Sequence, residues 1–130
     1  MQKKIARIIC KMPYDSHSLP LFRDLGMFSL YDIYVYSVQV FIYKFNHKLL
    51  PEVFHDFYIA NDTIHSHNTR QVNHFHVPIY KTRLGTNTIR STGVSIGNSL
   101  YNVVNQECTL DTYKLRLKHY IKSTNISFLY

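Results

Sequence analysis

Four histidines, His65, His67, His74 and His76, form two H-x-H pairs separated by six residues in "IHSHNTRQVNHFHVP". In extended backbone, residues i and i+2 point to the same side, so each pair could present two imidazoles together. Neutral imidazoles bind zinc, and a four-histidine set is chemically permitted. However, no cysteine completes a familiar zinc pattern, and Asp62 is the nearby carboxylate. The expectation is therefore a polar loop whose imidazoles hydrogen-bond or face water, with no metal and no cofactor.

Other catalytic constellations are missing from the text. Two-metal nucleotidyl transfer needs paired carboxylates holding ions about 4 Å apart, and the eight Asp and Glu are scattered without an Asp-Asp pair. Four dispersed glycines supply no phosphate-cradling loop. There is no G-x-S-x-G elbow, and Cys10 and Cys108 form neither a C-x-x-C pair nor a disulfide framework. Two isolated cysteines suit a reduced, intracellular chain, nuclear or cytoplasmic. The expectation is that the chain alone is not an enzyme and takes no small-molecule substrate.

Charge points to a partner. Fifteen Lys and Arg against eight Asp and Glu give a net charge of +7 and a pI near 9.5. Eight histidines add a positive reserve below about pH 6.5. Such a balance favours a polyanion, nucleic acid before an anionic membrane. Lys3, Lys4, Arg7 and Lys11 on an N-terminal helix, and Lys114 and Lys118 (with Lys122) on a C-terminal one, are candidates for phosphate contact. Arg70, Arg83 and Arg90 lie between them, where guanidinium groups can bind phosphates bidentately or stack on bases.

The elements that must position these residues read as mostly α with a small β or loop insert. Ile5, Ile8, Ile9 and Met12 fall at i, i+3, i+4, i+7 and predict a helix over about 2–12, ended by Pro13. A second helix is expected over about 19–25, stopped by Gly26. Ser29 and Asp32 make a capping box for a third, over about 30–49. There, β-branched and aromatic residues favour strand, but Leu30, Tyr34, Val38, Phe41, Phe45 and Leu49 keep helical spacing over a length no ordinary strand reaches. Pro51 opens a short helix over about 51–58. Alternation in "FHVPIY" and "TIRSTGVSI" predicts short strands at about 74–80 and 88–96. Helices follow over about 98–105 and, capped by Thr109, about 110–122.

At 130 residues the chain is one domain by length. It divides into a helical part, 1–58, a loop and β insert, 59–97, and C-terminal helices, 98–130. The apolar run Met27–Phe45 is interrupted by Ser29, Asp32, Ser37, Gln39 and Lys44 and does not make a membrane span.

The same text resembles a family in its order of motifs. Ile64, His65, Ser66, His67, Asn68, Thr69 and Arg70 resemble an I-H-x-Y/H-N-T-R motif. His76, Val77 and Pro78 resemble the H-x-P step after it, and Ile89, Arg90, Gly93, Asn98 and Leu100 a following I-R-x-x-G-x-x-x-W-N-x-L motif. These motifs belong to the segment near the C-terminus of reverse transcriptases from non-long-terminal-repeat retrotransposons, of the jockey and chicken-repeat type. "QKKIARIIC", "HSLPLFRDL", "YKFNHKLLPEVF" and, loosely, "LDTYKLRLKHYI" are similar to further motifs of that family, in the same order.

The resemblance implies a post-thumb region of an RNA-directed DNA polymerase, a fragment of a larger polyprotein whose catalytic domains lie upstream. Its expected work is to help hold template RNA and target DNA, with nucleic acid and the upstream polymerase domains as partners and no membrane. His65, Asn68, Arg70, Arg90, Gly93 and Asn98 are then motif residues and not catalytic ones. One departure stands out, Gly97 where the family has Trp. Two other readings are a structural appendage exposing Tyr34, Val38, Phe41 and Phe45 to the polymerase without touching nucleic acid, and a small membrane-associated protein using Met27 to Phe45.

Overall fold

The computed structural model describes residues 1–64, 70–100 and 108–124. Over these the chain is mostly helical: α1 (Gln2–Ile9), α2 (Ser18–Asp24), α3 (Leu30–Asn46), a 3-10 turn (Glu52–Phe54), α4 (Asn61–Ile64), α5 (Arg83–Thr86), α6 (Ile89–Ser99) and α7 (Leu110–Ser123).

Local chemistry explains several helix ends. Ser29 and Asp32 cap α3 reciprocally: the Ser29 backbone N–H donates to Asp32 Oδ2 at 2.9 Å, and the Asp32 N–H donates to Ser29 Oγ at 3.2 Å. Three helices end in the same left-handed turn. After α2, Gly26 has φ +62°, its N–H bonds to Arg23 O, and the Met27 N–H bonds to Phe22 O. Lys11 (φ +52°) and Lys48 (φ +53°) do the same for α1 and α3, with Met12 N–H on Arg7 O and Leu49 N–H on Lys44 O. That closure ends α1 at Ile9 and α3 at Asn46, short of the 12 and 49 expected from periodicity. A lysine carries no glycine-like freedom, so each closure stores about 1 kcal/mol or more of backbone strain.

Two expected strands need correction. Residues 88–96 are not a strand, since Ile89–Ser99 is helix. Gly93, Ile96, Gly97 and Leu100 are all buried and spaced i, i+3, i+4, i+7. Half of that inward stripe is glycine, so hydrophobic patterning does not reveal it. Over 74–80, an antiparallel bridge joins Phe75 to Ala60, and no named strand forms among the described residues. The His76 N–H on Ile59 O and the Asn61 N–H on His74 O hold this pairing. The expected helix at 51–58 is reduced to the 3-10 turn behind Pro51. Of the helix expected at 98–105, Asn98 and Ser99 end α6, and 101–107 lie outside the described residues.

The chain forms two compact units, one from residues 1–36 and 114–130, the other from residues 37–113. In the first, α1 packs on α2 through Ala6, Leu21 and Phe22, with Cys10 and Leu25 half-buried beside them. Gln2 ties α1 to the start of α3, donating to Phe28 O at 2.8 Å and accepting from the Leu30 N–H at 3.0 Å. Leu117 and Ile121 of α7 are buried, and Lys118 and Lys122 lie over the rings of Tyr36 and Phe28.

In the second unit, Phe41, Phe45, Phe54, Phe57, Tyr58 and Phe75 form a continuous cluster of rings, mostly edge-to-face at 5.0 to 6.2 Å. Beside it, the buried Gln39 donates to Ile96 O at 2.8 Å, and the Tyr113 hydroxyl bonds to Gln39 O and Oε1. No helix among the described residues is long and apolar enough to cross a membrane.

Candidate nucleic-acid interface

The two units differ sharply in charge. The first holds nine Lys and Arg against three Asp and Glu, and the second six against five. Nearly all of the chain's net positive charge therefore belongs to α1, α2, the start of α3 and the last turns of α7.

On α1 the residues sort into three sectors. Ala6 and Cys10 face α2. Lys3, Lys4 and Lys11 are exposed on the basic side. Ile5, Ile8, Ile9 and Met12, whose spacing reads as a core stripe, are in fact 46 to 65% exposed. The helix packs through its small residues because alanine and cysteine allow close approach, leaving the bulky isoleucines outward.

Arg7 lies on the basic side too, but it is half-buried. Its Nε–H donates to Ser16 O at 2.8 Å, and its guanidinium lies 5.6 Å from the centre of the Tyr14 ring. Arg7 thus organises the turn after α1 and is not free for phosphate in the way Lys3, Lys4 and Lys11 are. Tyr14 itself is 80% exposed. Sequence pattern gives no reason to single it out among eleven tyrosines, because the contact with Arg7 exists only once the turn has formed.

On α7, Lys118 is exposed and Lys114 half-buried. The Lys118 ammonium lies 5.8 Å from the Tyr36 ring centre, which braces its stem while leaving its charge at the surface. In the second unit, Arg70 and Arg83 are exposed, Arg83 on the short α5 capped by Thr82. Arg90 is exposed at the start of α6 with its guanidinium 5.0 Å from the Phe57 ring centre. These three arginines belong to the second unit, and the α1 and α7 lysines to the first.

The motif residues of α6 have packing roles. Asn98 clamps the chain at Phe75: its Oδ1 accepts from the Phe75 N–H and its Nδ2 donates to Phe75 O, both at 2.9 Å. Gly93 faces the Tyr58 hydroxyl so closely that a Cβ there would lie 2.1 Å from it. That hydroxyl donates to Ile89 O at 3.2 Å. At Gly97, where the resemblance has Trp, a Cβ would lie 2.9 Å from Ile42 Cδ1 and 3.5 Å from Phe75. The space a large anchor would need is already filled by Ile42 and Phe75, so glycine here goes with closer helix packing.

His65 and Asn68, with His67, lie outside the described residues. His74 and His76 are half-buried beside the Phe75 bridge, with their backbones paired to Asn61 and Ile59. Among the described residues no group of three or more His, Cys, Asp or Glu is placed to hold a metal ion. Tyr43 and Tyr113 are titratable groups that depart from ordinary behaviour. Burial pushes both phenols up, and the neighbouring Cys108 adds to it, with Tyr43 a further cause at Tyr113. Tyr43 donates to Cys108 O, and its ring packs 4.3 Å from that of Tyr113. This is core chemistry, not a reactive site. Comparison with family models, curated proteins and solved structures finds no match for this chain.

Proposed function

We propose that this chain is the non-catalytic C-terminal region of a retrotransposon RNA-directed DNA polymerase, which helps hold template RNA or target DNA while upstream domains perform the chemistry. The observation that carries this reading is the charge asymmetry, nine basic residues against three acidic in the first unit. Lys3, Lys4, Lys11, Arg23, Arg116, Lys118 and Lys122 are all exposed there. The order of motifs, from Gln2 to about Lys122, supports the family assignment. The packing roles of Arg90, Gly93 and Asn98 agree with an architectural segment.

The test is binding of the purified chain to labelled RNA and duplex DNA at about 50 and 200 mM salt. With about four phosphates contacted, duplex affinity is expected to fall on the order of 100-fold across that range. A folded sample that binds neither nucleic acid overturns the reading.

A specific observation favours a second reading, an appendage that packs on the polymerase: the bared Ile5, Ile8, Ile9 and Met12 on α1. The face expected for that role lies elsewhere, on Tyr34, Val38, Phe41 and Phe45. Of these Tyr34 is exposed, Val38 is buried, and Phe41 and Phe45 belong to the ring cluster.

A further inference from the structure

We infer that the turn after α1 is a stacking site for single-stranded nucleic acid, with Tyr14 as the platform, Arg7 as its positioning residue, and Lys4 and Lys11 as phosphate contacts. This rests on the nucleic-acid reading above and names the kind of strand that the first unit takes.

Each part is set by geometry. The left-handed closure at Lys11 turns the chain back on α1, with the Met12 N–H on Arg7 O at 2.9 Å. A further turn, with the Ser16 N–H on Pro13 O, brings Ser16 within reach of Arg7. Arg7 then holds that loop twice, through Ser16 O and across the Tyr14 ring. One face of the ring meets the guanidinium, and with 80% of the residue exposed the other is open to solvent. A cation behind an aromatic ring and an open face in front suits a nucleobase, which brings a π-face and a trailing phosphate.

The surrounding charges fit the same ligand. Lys4 lies one turn before Arg7 on α1, Lys11 lies in the left-handed closure just after the helix, and both are exposed. Asp15, next to Tyr14, is the acidic residue of this turn and repels a phosphate, so the strand's backbone runs on the α1 side of the ring. A duplex keeps its bases stacked inward and cannot use the platform, whereas a single strand can. A left-handed lysine where glycine would be unstrained agrees with the side chain at position 11 being needed.

The test uses the full chain with labelled single strands of about 12 nucleotides, in both RNA and DNA arms, and a duplex of equal length. Tyr14→Ala is expected to weaken single-strand binding roughly 10-fold while leaving the duplex nearly unchanged. Tyr14→Phe, which keeps the ring, is expected to retain binding. Lys11→Gln is expected to weaken both ligands and to reduce the salt slope by about one. Arg7→Gln is expected to lose the preference for single strands while keeping most duplex affinity, an outcome that a merely structural role would not produce in a sample with unchanged circular dichroism.

If the chain binds both ligands and Tyr14→Ala weakens neither, or weakens both equally, the stacking site is refuted and the nucleic-acid reading survives. Binding to neither ligand, with capture on vesicles of phosphatidylcholine containing phosphatidylserine, overturns both. Retention by the RNA arm and not the DNA arm, or the reverse, assigns the strand.

Discussion

Gly93 offers a sharp test of the packing of α6, because its reason for being glycine is a single atom. A Cβ at this position would lie 2.1 Å from the Tyr58 hydroxyl oxygen and 3.1 Å from Cζ. Tyr58 cannot swing away, since its ring is held by Phe45, Phe57 and Phe75 at 5.0 to 5.3 Å. Overpacking of this kind costs about 3 kcal/mol at the upper end of its usual range. Alanine in a helix interior returns about 1 kcal/mol relative to glycine. Gly93→Ala is therefore expected to destabilise by about 2 kcal/mol.

Tyr58→Phe removes the offending oxygen and with it the bond to Ile89 O, a loss of about 1 kcal/mol. If the two changes were independent, the double variant would lose about 3 kcal/mol. With the oxygen gone, the new methyl meets Cζ at 3.1 Å and Cε1 at 3.5 Å, and the double variant is expected to lose no more than about 1 kcal/mol. The coupling energy is thus about 2 kcal/mol, read from urea midpoints of the four proteins at constant m-value. Additivity within about 0.5 kcal/mol would show that Tyr58 does not stand over Gly93 and would refute this packing.

Asn98→Ala removes both bonds to Phe75 and leaves its backbone N–H and C=O without those partners, an expected loss of about 2–4 kcal/mol in urea unfolding. Asn98→Asp keeps the acceptor and should fall between. Stability is also expected to depend on alkaline pH. Tyr43 and Tyr113 have phenol pKa values raised in the folded state, so their contribution is fully present below the ordinary value near 10 and is lost as pH rises from there towards the raised folded-state values. Thermal melts between about pH 8 and 11 should show a flat region and then a decline above about pH 10, with buried phenolate absorbance appearing only on unfolding. A decline of equal size in a Tyr43→Phe, Tyr113→Phe double variant would refute that attribution.

Much of the fold is written locally. The Ser29–Asp32 box, Gly26, Pro51 and Thr109 mark boundaries through bonds between residues a few positions apart, so sequence alone locates α2, α3 and α7 to within a few residues. Helical spacing outweighed β-branched composition in α3 because only a helix keeps Val38, Gln39 and Ile42 on one buried side. The basic character of the two terminal helices was legible for the same reason, since charge needs no partner in order to be counted.

What only tertiary structure decided depends on distant neighbours. The segment from Ile89 to Ser99 alternates like a strand, yet it is a helix because Tyr58, Ile42 and Phe75 meet its small residues at helical intervals. The isoleucines of α1 carry a core pattern and are exposed because Ala6 and Cys10 make the contact with α2. Gly97 is not a gap, since the volume is occupied by Ile42 and Phe75. Tyr14 becomes a candidate site only when Arg7 bonds Ser16 and covers the ring. Periodicity records which side chains favour burial, but which of them are buried is fixed by how closely two backbones approach, and that is a property of the packed molecule.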